Sequence, residues 1–217
     1  NPQSLHYIRD NVMNQYQSCI YNVGSIVCPY DSDQLFPVYG FGGKVGKEVS
    51  HCFPLTFDPN NPNVQGLQGI LTAYRNSLAN VQLSGPTFFA PIISAATQLA
   101  RASFETSRTY TILMILTDGI INDMPQTIEA IVDAAETPLS IIIIGVGNAD
   151  FGAMDALDGD EKGLQTRSGK KARRDIVQFV PFNKFSGGND ALLASSVLAE
   201  IPKQVSDYCQ FVGFVPT

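Results

Sequence analysis

The chain is poor in the residues that most enzymes and metal proteins use. It has only two histidines in 217 residues, and its four cysteines, Cys19, Cys28, Cys52 and Cys209, form no C-x-x-C pair. That leaves no zinc ligand set, and the cysteines are expected to be free thiols of a cytosolic protein. No G-x-S-x-G elbow is present, and neither His6 nor His51 has partners arranged for catalysis. Basic charge is also scarce: Lys and Arg total 14 against 20 Asp and Glu, a net charge of -6, which argues against nucleic-acid binding. No apolar run approaches the roughly 20 residues that span a bilayer. The first residues, Asn1-Pro-Gln-Ser-Leu-His6, show no charged-then-apolar leader.

What the chain has is a set of buried-strand signals. Tyr110-Thr-Ile-Leu-Met-Ile-Leu-Thr-Asp118-Gly119 is an apolar run that stops at an aspartate and a glycine. Strands covered on both faces read as continuous apolar runs, and ligand sites in open α/β sheets lie beyond their carboxyl ends. Asp118 therefore falls where such a protein places its chemistry, as a metal ligand, a general base or a turn cap. Residues 139 to 146 and 176 to 180 read as further strands, and residues 35 to 42 and 51 to 57 as two more; Pro54 puts the last of these at an edge. Helical spacing marks residues 11 to 27, the stretch from Leu67 to Leu78, the stretch from Phe89 to Ala100, and a helix opened by Pro125 at its first position. A short helix passes through Met154 and Leu157, and a last one runs from Leu192 to Tyr208 with a kink at Pro202. The alternation predicts one α/β domain: a doubly wound, mostly parallel sheet of five strands with helices on both faces and one antiparallel edge strand.

Thr87, in the loop before a predicted helix, is expected to face the same rim as Asp118. A hydroxyl and a carboxylate are both oxygen donors suited to a hard cation such as magnesium. Gly85-Pro86-Thr87, Leu116-Thr117-Asp118-Gly119 and Ile144-Gly145-Val146-Gly147 resemble the loops of a von Willebrand factor A domain. Ser4-Leu5-His6-Tyr7, Phe36-Pro37 with Gly40-Phe41-Gly42, Thr166-Arg167-Ser168-Gly169 and Arg174-Asp175-Ile176-Val177-Gln178-Phe179-Val180-Pro181 are similar to stretches of the copine version of that domain. The order and spacing of these motifs carry the resemblance over nearly the whole chain.

The resemblance implies a metal-ion-dependent adhesion site in which Thr87 and Asp118 hold Mg or Mn, together with a first loop, D-x-S/T-x-S, that this sequence lacks. On that reading residues 1 to 217 are an A domain missing its first strand and first metal loop. The implied role is not enzymatic. It is metal-assisted protein binding, in which a partner's acidic residue completes the cation's coordination. Calcium and phospholipid would be bound only by modules upstream, which would bring a cytoplasmic protein to membranes on a calcium signal. Two alternatives stay open: the A domain of a copine-related RING ubiquitin ligase, and a nucleotide-binding or hydrolytic α/β enzyme using Asp118.

Several other motifs invite weighing. Gly145-Val-Gly147-Asn-Ala-Asp-Phe-Gly152 follows a strand, but its third glycine comes two residues late for G-x-G-x-x-G. Gly40-Phe-Gly42-Gly43-Lys44-Val-Gly46-Lys47 is no P-loop, since Phe41 stands where the first glycine belongs. Asp31-Ser-Asp33 and Asp158-Gly-Asp160-Glu161 are fragments of calcium loops, expected to be solvated turns. Asp123 is expected to cap the helix at Pro125. Lys170, Lys171, Arg173 and Arg174 form the one dense basic run, either a solvated loop or a docking patch for an acidic partner or anionic lipid.

Overall fold

The first helix begins where a reciprocal pair of side-chain bonds can close it. Asn14 accepts a hydrogen bond from the Gln17 amide at 2.8 Å, and the Gln17 side chain accepts one from the Asn14 amide at 3.1 Å. This capping box satisfies two amides that the helix leaves open, so α1 spans Gln15–Val27 rather than starting at residue 11. Val12 lies outside it, bridged to Arg9. The structure is a computed structural model and describes residues 2–159, 163–185 and 190–215. The chain groups into two compact units, residues 1–87 with 185–194 and residues 88–184 with 195–217.

In the first unit, β1 (Leu35–Pro37) pairs antiparallel with β6 (Asn63–Gln65), and β2 (Tyr39–Gly40) with β5 (Phe53–Pro54). β3 (Gly43–Val45) pairs with both β4 (Glu48–Ser50) and β7 (Gln82–Leu83). The expected strands over residues 35–42 and 51–57 are therefore corrected to two- and three-residue pieces, and none of them joins a parallel sheet. Pro37 has no N–H to give a ladder, and Gly42, at φ +63°, turns the chain where a strand would continue. Pro54 does sit in an edge position, in a two-stranded pair. α2 (Gly66–Asn80) packs on α1 so closely that a Cβ on Gly24 would come 2.5 Å from Leu67 Cδ1.

Tyr74 of α2 joins a polar cluster in this unit. Its hydroxyl lies 2.8 Å from His6 Nδ1 and accepts from Asn14 Nδ2 at 3.3 Å, while the His6 ring stacks on Tyr16 at 4.0 Å. Burial pushes the Tyr74 phenol up to about 12, and it also raises the thiol of the fully buried Cys19. Both groups are held neutral in the fold, and an unfolded tyrosine ionises near pH 10. Tyr74's contribution is complete below about pH 10 and is lost as pH climbs toward about 12. Melting temperature should accordingly fall through that window, and less steeply in Tyr74→Phe; identical slopes in the two proteins would assign the alkaline loss elsewhere.

The second unit is built on one strand. All seven residues of β9 (Leu139–Gly145) are buried. β8 (Thr111–Thr117) and β10 (Val177–Pro181) run parallel to it on either side, in register Thr117↔Gly145 and Pro181↔Gly145. The described sheet thus has three parallel strands in the order β10–β9–β8, not five. α3 (Ala90–Ser107), α4 (Met124–Ala134), α5 (Gly152–Asp158) and α7 (Ile201–Val212) complete the unit. α6 (Asp190–Leu198) contributes its last residues, and the boundary between the units falls inside it. The single helix expected over 192–208 is two: Pro202 opens α7 in its first turn, where its missing N–H leaves no gap in the ladder. α4 starts one residue before Pro125. No helix of the described residues is long and apolar enough to cross a membrane.

Among the described residues β8 pairs only with β9, and Ile112 on it is 39% exposed. An apolar strand with an open edge templates pairing with other chains. Purified chain should associate increasingly with concentration, and Ile112→Lys should shift sedimentation profiles toward monomer; equal association in both would exonerate this edge.

Candidate functional site

The carboxyl ends of β8 and β9 form a rim. The Val146 amide donates to the Thr117 carbonyl at 2.7 Å, and the Thr117 hydroxyl accepts from the Gly119 amide at 3.2 Å. Gly119 has φ +98°, and a Cβ there would lie 2.9 Å from the Asp150 carbonyl and 3.1 Å from the Phe151 ring. Only glycine lets residues 118–119 and 147–151 touch in this way. Phe151 in turn packs on Phe179 of β10 at 5.4 Å and covers Gly145, where a Cβ would meet its ring at 2.8 Å.

Asp118 stands at this rim half-buried, and its carboxylate makes no hydrogen bond or ion pair among the described residues. Asp123, five residues on, is the opposite case. It is 6% exposed, and its carboxylate accepts from the Phe89 and Ala90 amides, each at 2.9 Å, and from the Thr127 hydroxyl at 3.1 Å. Asp123 occupies the cap position of α4, as expected, yet its side chain closes the first turn of α3 instead. That contact joins residues 34 apart in sequence, which local capping patterns do not reveal.

Thr87 falls in the first unit and Asp118 in the second. Within its own unit Thr87 Oγ1 lies 3.9 Å from where a Cβ on Gly42 would stand, so Gly42 leaves space beside the hydroxyl. The two donors fit a hard cation in kind: both are oxygens, and the Asp118 carboxylate is not consumed by a protein donor. They do not suffice in number, since such cations take six or more oxygens. Among the described residues no group of three or more His, Cys, Asp or Glu is placed to hold a metal.

The lesser motifs behave locally. Asp31 accepts from the Asp33 amide at 3.3 Å and Asp33 from the Leu35 amide at 2.8 Å, which makes that segment a pair of side-chain turns. Asp160 and Glu161 lie outside the described residues. Asp150 accepts from the Gly152 amide at 2.9 Å and so closes the start of α5 with a carboxylate.

The basic run does not act as one patch. Residues 164–172 fold back on themselves, with Gln165 bridged to Lys171 and the Lys170 amide donating to the Thr166 hydroxyl at 3.0 Å. Lys170 pairs with Asp133 at 2.7 Å, which raises its pKa. Lys171 and Arg173 are exposed, and Arg174 is not. The Arg174 guanidinium turns inward and donates to the carbonyls of Thr137, Leu139 (2.9 Å) and Gln204 (3.2 Å) and to the Tyr110 hydroxyl (3.1 Å). Its charge rests against the rings of Tyr208 at 5.3 Å and Tyr110 at 5.9 Å. Arg174 is thereby removed from the expected docking patch, because its donors satisfy buried carbonyls. The one sequence sign of this was its place two residues before a mostly apolar strand.

Asp118 thus holds a half-buried carboxylate at the carboxyl end of a parallel strand, the position beyond which open α/β sheets carry their ligand sites. A sequence model of the Copine family matches residues 4–217, and the chain belongs to that family.

Proposed function

We propose that this chain is the metal-assisted protein-binding A domain of a copine, with its site at Thr87 and Asp118. The observation that carries the reading is the Asp118 carboxylate, poised at the strand end without a protein donor. On this reading the three-stranded parallel sheet is the core of the doubly wound, von Willebrand factor A arrangement. Thr87 and Asp118 would hold Mg or Mn, with water and other oxygens completing the shell. When bound, such an ion supplies a coordination position that a carboxylate on a partner can fill. Asp118 would hold the ion at the rim, where Gly119 lets residues 150–151 approach closely and Asp123 ties the first turn of α3 to the segment that follows. The wider role is recruitment of protein partners to membranes by a cytoplasmic protein, whose calcium and phospholipid binding would reside in other modules. A nucleotide-binding reading is less well supported, because the Asp150 carboxylate already takes the α5 amide that a phosphate would need.

Magnesium titration by calorimetry tests the site. Asp118→Ala should weaken binding at least about tenfold, a loss of roughly 1.4 kcal/mol, and Thr87→Ala should weaken it less, with melting temperatures unchanged in both. Unchanged affinity in both variants would sink the assignment.

A further inference from the structure

An open hollow of about 520 Å³ lies on the second unit, between the segment 173–175 and α7. Arg173, Arg174 and Lys203 line it together with Asp175 and Asp207, which leaves one net positive charge in a chain that carries -6. Lys203 is held by Asp207 at 2.6 Å. Arg173 has no acid partner among the described residues; it lies over the Phe211 ring at 5.1 Å. A guanidinium stacked through its face keeps its edge donors directed outward, which is the geometry that takes a carboxylate by two parallel hydrogen bonds. Arg174 adds a buried charge whose hydrogen bonds, among the described residues, go to carbonyls and the Tyr110 hydroxyl. Beside these cations, Phe211 is 43% and Val212 42% exposed at the end of the helix.

Cations next to exposed apolar side chains suit two kinds of partner, an acidic peptide or an anionic membrane. The hollow favours the peptide. Its wall includes two carboxylates, Asp175 and Asp207, which a sheet of anionic headgroups would meet with repulsion. One carboxylate side chain can instead settle on Arg173 and avoid them. A net charge of -6 likewise opposes broad contact with an anionic surface.

We propose that this hollow docks an acidic peptide segment, with a carboxylate on the Arg173 guanidinium and a neighbouring apolar side chain on Phe211. It deepens the reading of the chain as a protein-binding domain, but it is independent of the cation at Asp118. The test uses the whole chain and a short fluorescein-labelled peptide of alternating Glu and Leu, followed by fluorescence polarisation in EDTA. A Gln-for-Glu peptide is the control. The acidic peptide should bind and the control should not, and binding should weaken with salt because exposed charges are screened within about 10 Å at 0.1 M. Arg173→Glu and Lys203→Glu should each cost at least about tenfold in affinity, and Asp207→Asn should tighten it. Both charge reversals lie on the surface, and an unchanged melting temperature confirms that each variant is folded. No binding of the acidic peptide, or affinity in both reversed variants equal to the parent's, overturns the proposal. So does Arg173-dependent capture by phosphatidylserine vesicles without peptide binding, which would reassign the hollow to a membrane. Loss of peptide binding in EDTA would overturn it as well and place the contact at Asp118, whereas a metal-free domain that still binds the peptide leaves the cation question separate.

Discussion

Arg174→Ala should lower the melting temperature by about 10 °C or more. The truncation leaves the carbonyls of Thr137, Leu139 and Gln204 without this donor and opens a void between Tyr110 and Tyr208. Each buried acceptor left unmade costs about 1–3 kcal/mol, and a domain of this size loses roughly 2–4 °C per kcal/mol. Arg174→Lys should recover only part of the loss, since a single ammonium cannot reach acceptors arranged around a planar fork. Arg173→Ala, by contrast, removes an exposed side chain and should move the melting temperature by about 2 °C at most. Differential scanning calorimetry of the three variants separates the roles. Equal, small shifts for Arg174→Ala and Arg173→Ala would mean that the buried guanidinium is not a structural support.

Gly119→Val should be nearly as damaging, and it should also disable the rim. A residue with a Cβ is strained at φ +98°, a cost of about 1–3 kcal/mol, and the Asp150 carbonyl stands 2.9 Å from the added atom. The loop must therefore move away from Phe151, taking Asp118 with it. Magnesium binding and thermal stability should both fall. Asp118→Ala, in contrast, should weaken the ion and spare the fold. If Gly119→Val melts like the parent and binds the ion equally, the close approach of the two loops has no bearing on the site.

The parallel strands were legible because each carries its own signal. The apolar run at Tyr110–Thr117 became β8 and the run at residues 139–146 became β9, each within a residue of the expected bounds. β9 is buried at every position, as such a run implies, whereas β8 is an edge strand that keeps the apolar run although Ile112 is exposed. The first unit was read poorly. Strands of two or three residues, such as Tyr39–Gly40 against Phe53–Pro54, are too short to show a period. Apart from the β3–β4 hairpin, their existence depends on partners far along the chain. The helix break before Pro202 was signalled by the proline, but a kink and a new start look alike in sequence.

Side-chain roles at the rim divided in the same way. Asp118 was legible from position alone, as the first residue after a mostly apolar strand. Asp123 was legible as a cap and not as the cap of a different helix. Arg174 was misread because a run of four basic residues looks like one surface, and only the fold shows which member points inward. Lys170 stayed at the surface but is matched by Asp133 from α4, an acid 37 positions upstream.

The Asp123 carboxylate has a mechanical consequence. It bolts the first turn of α3 to the loop that leaves the rim, so the two shift as a single piece. α3 has 18 residues and is about 27 Å long at 1.5 Å per residue. A tilt of about 5° at the bolted end would swing the far end, near Ser107, by roughly 2 Å. A ligand that nudged the loop after Asp118 would thus be read out, enlarged, on the opposite side of the second unit. The rim would then be a pivot for α3.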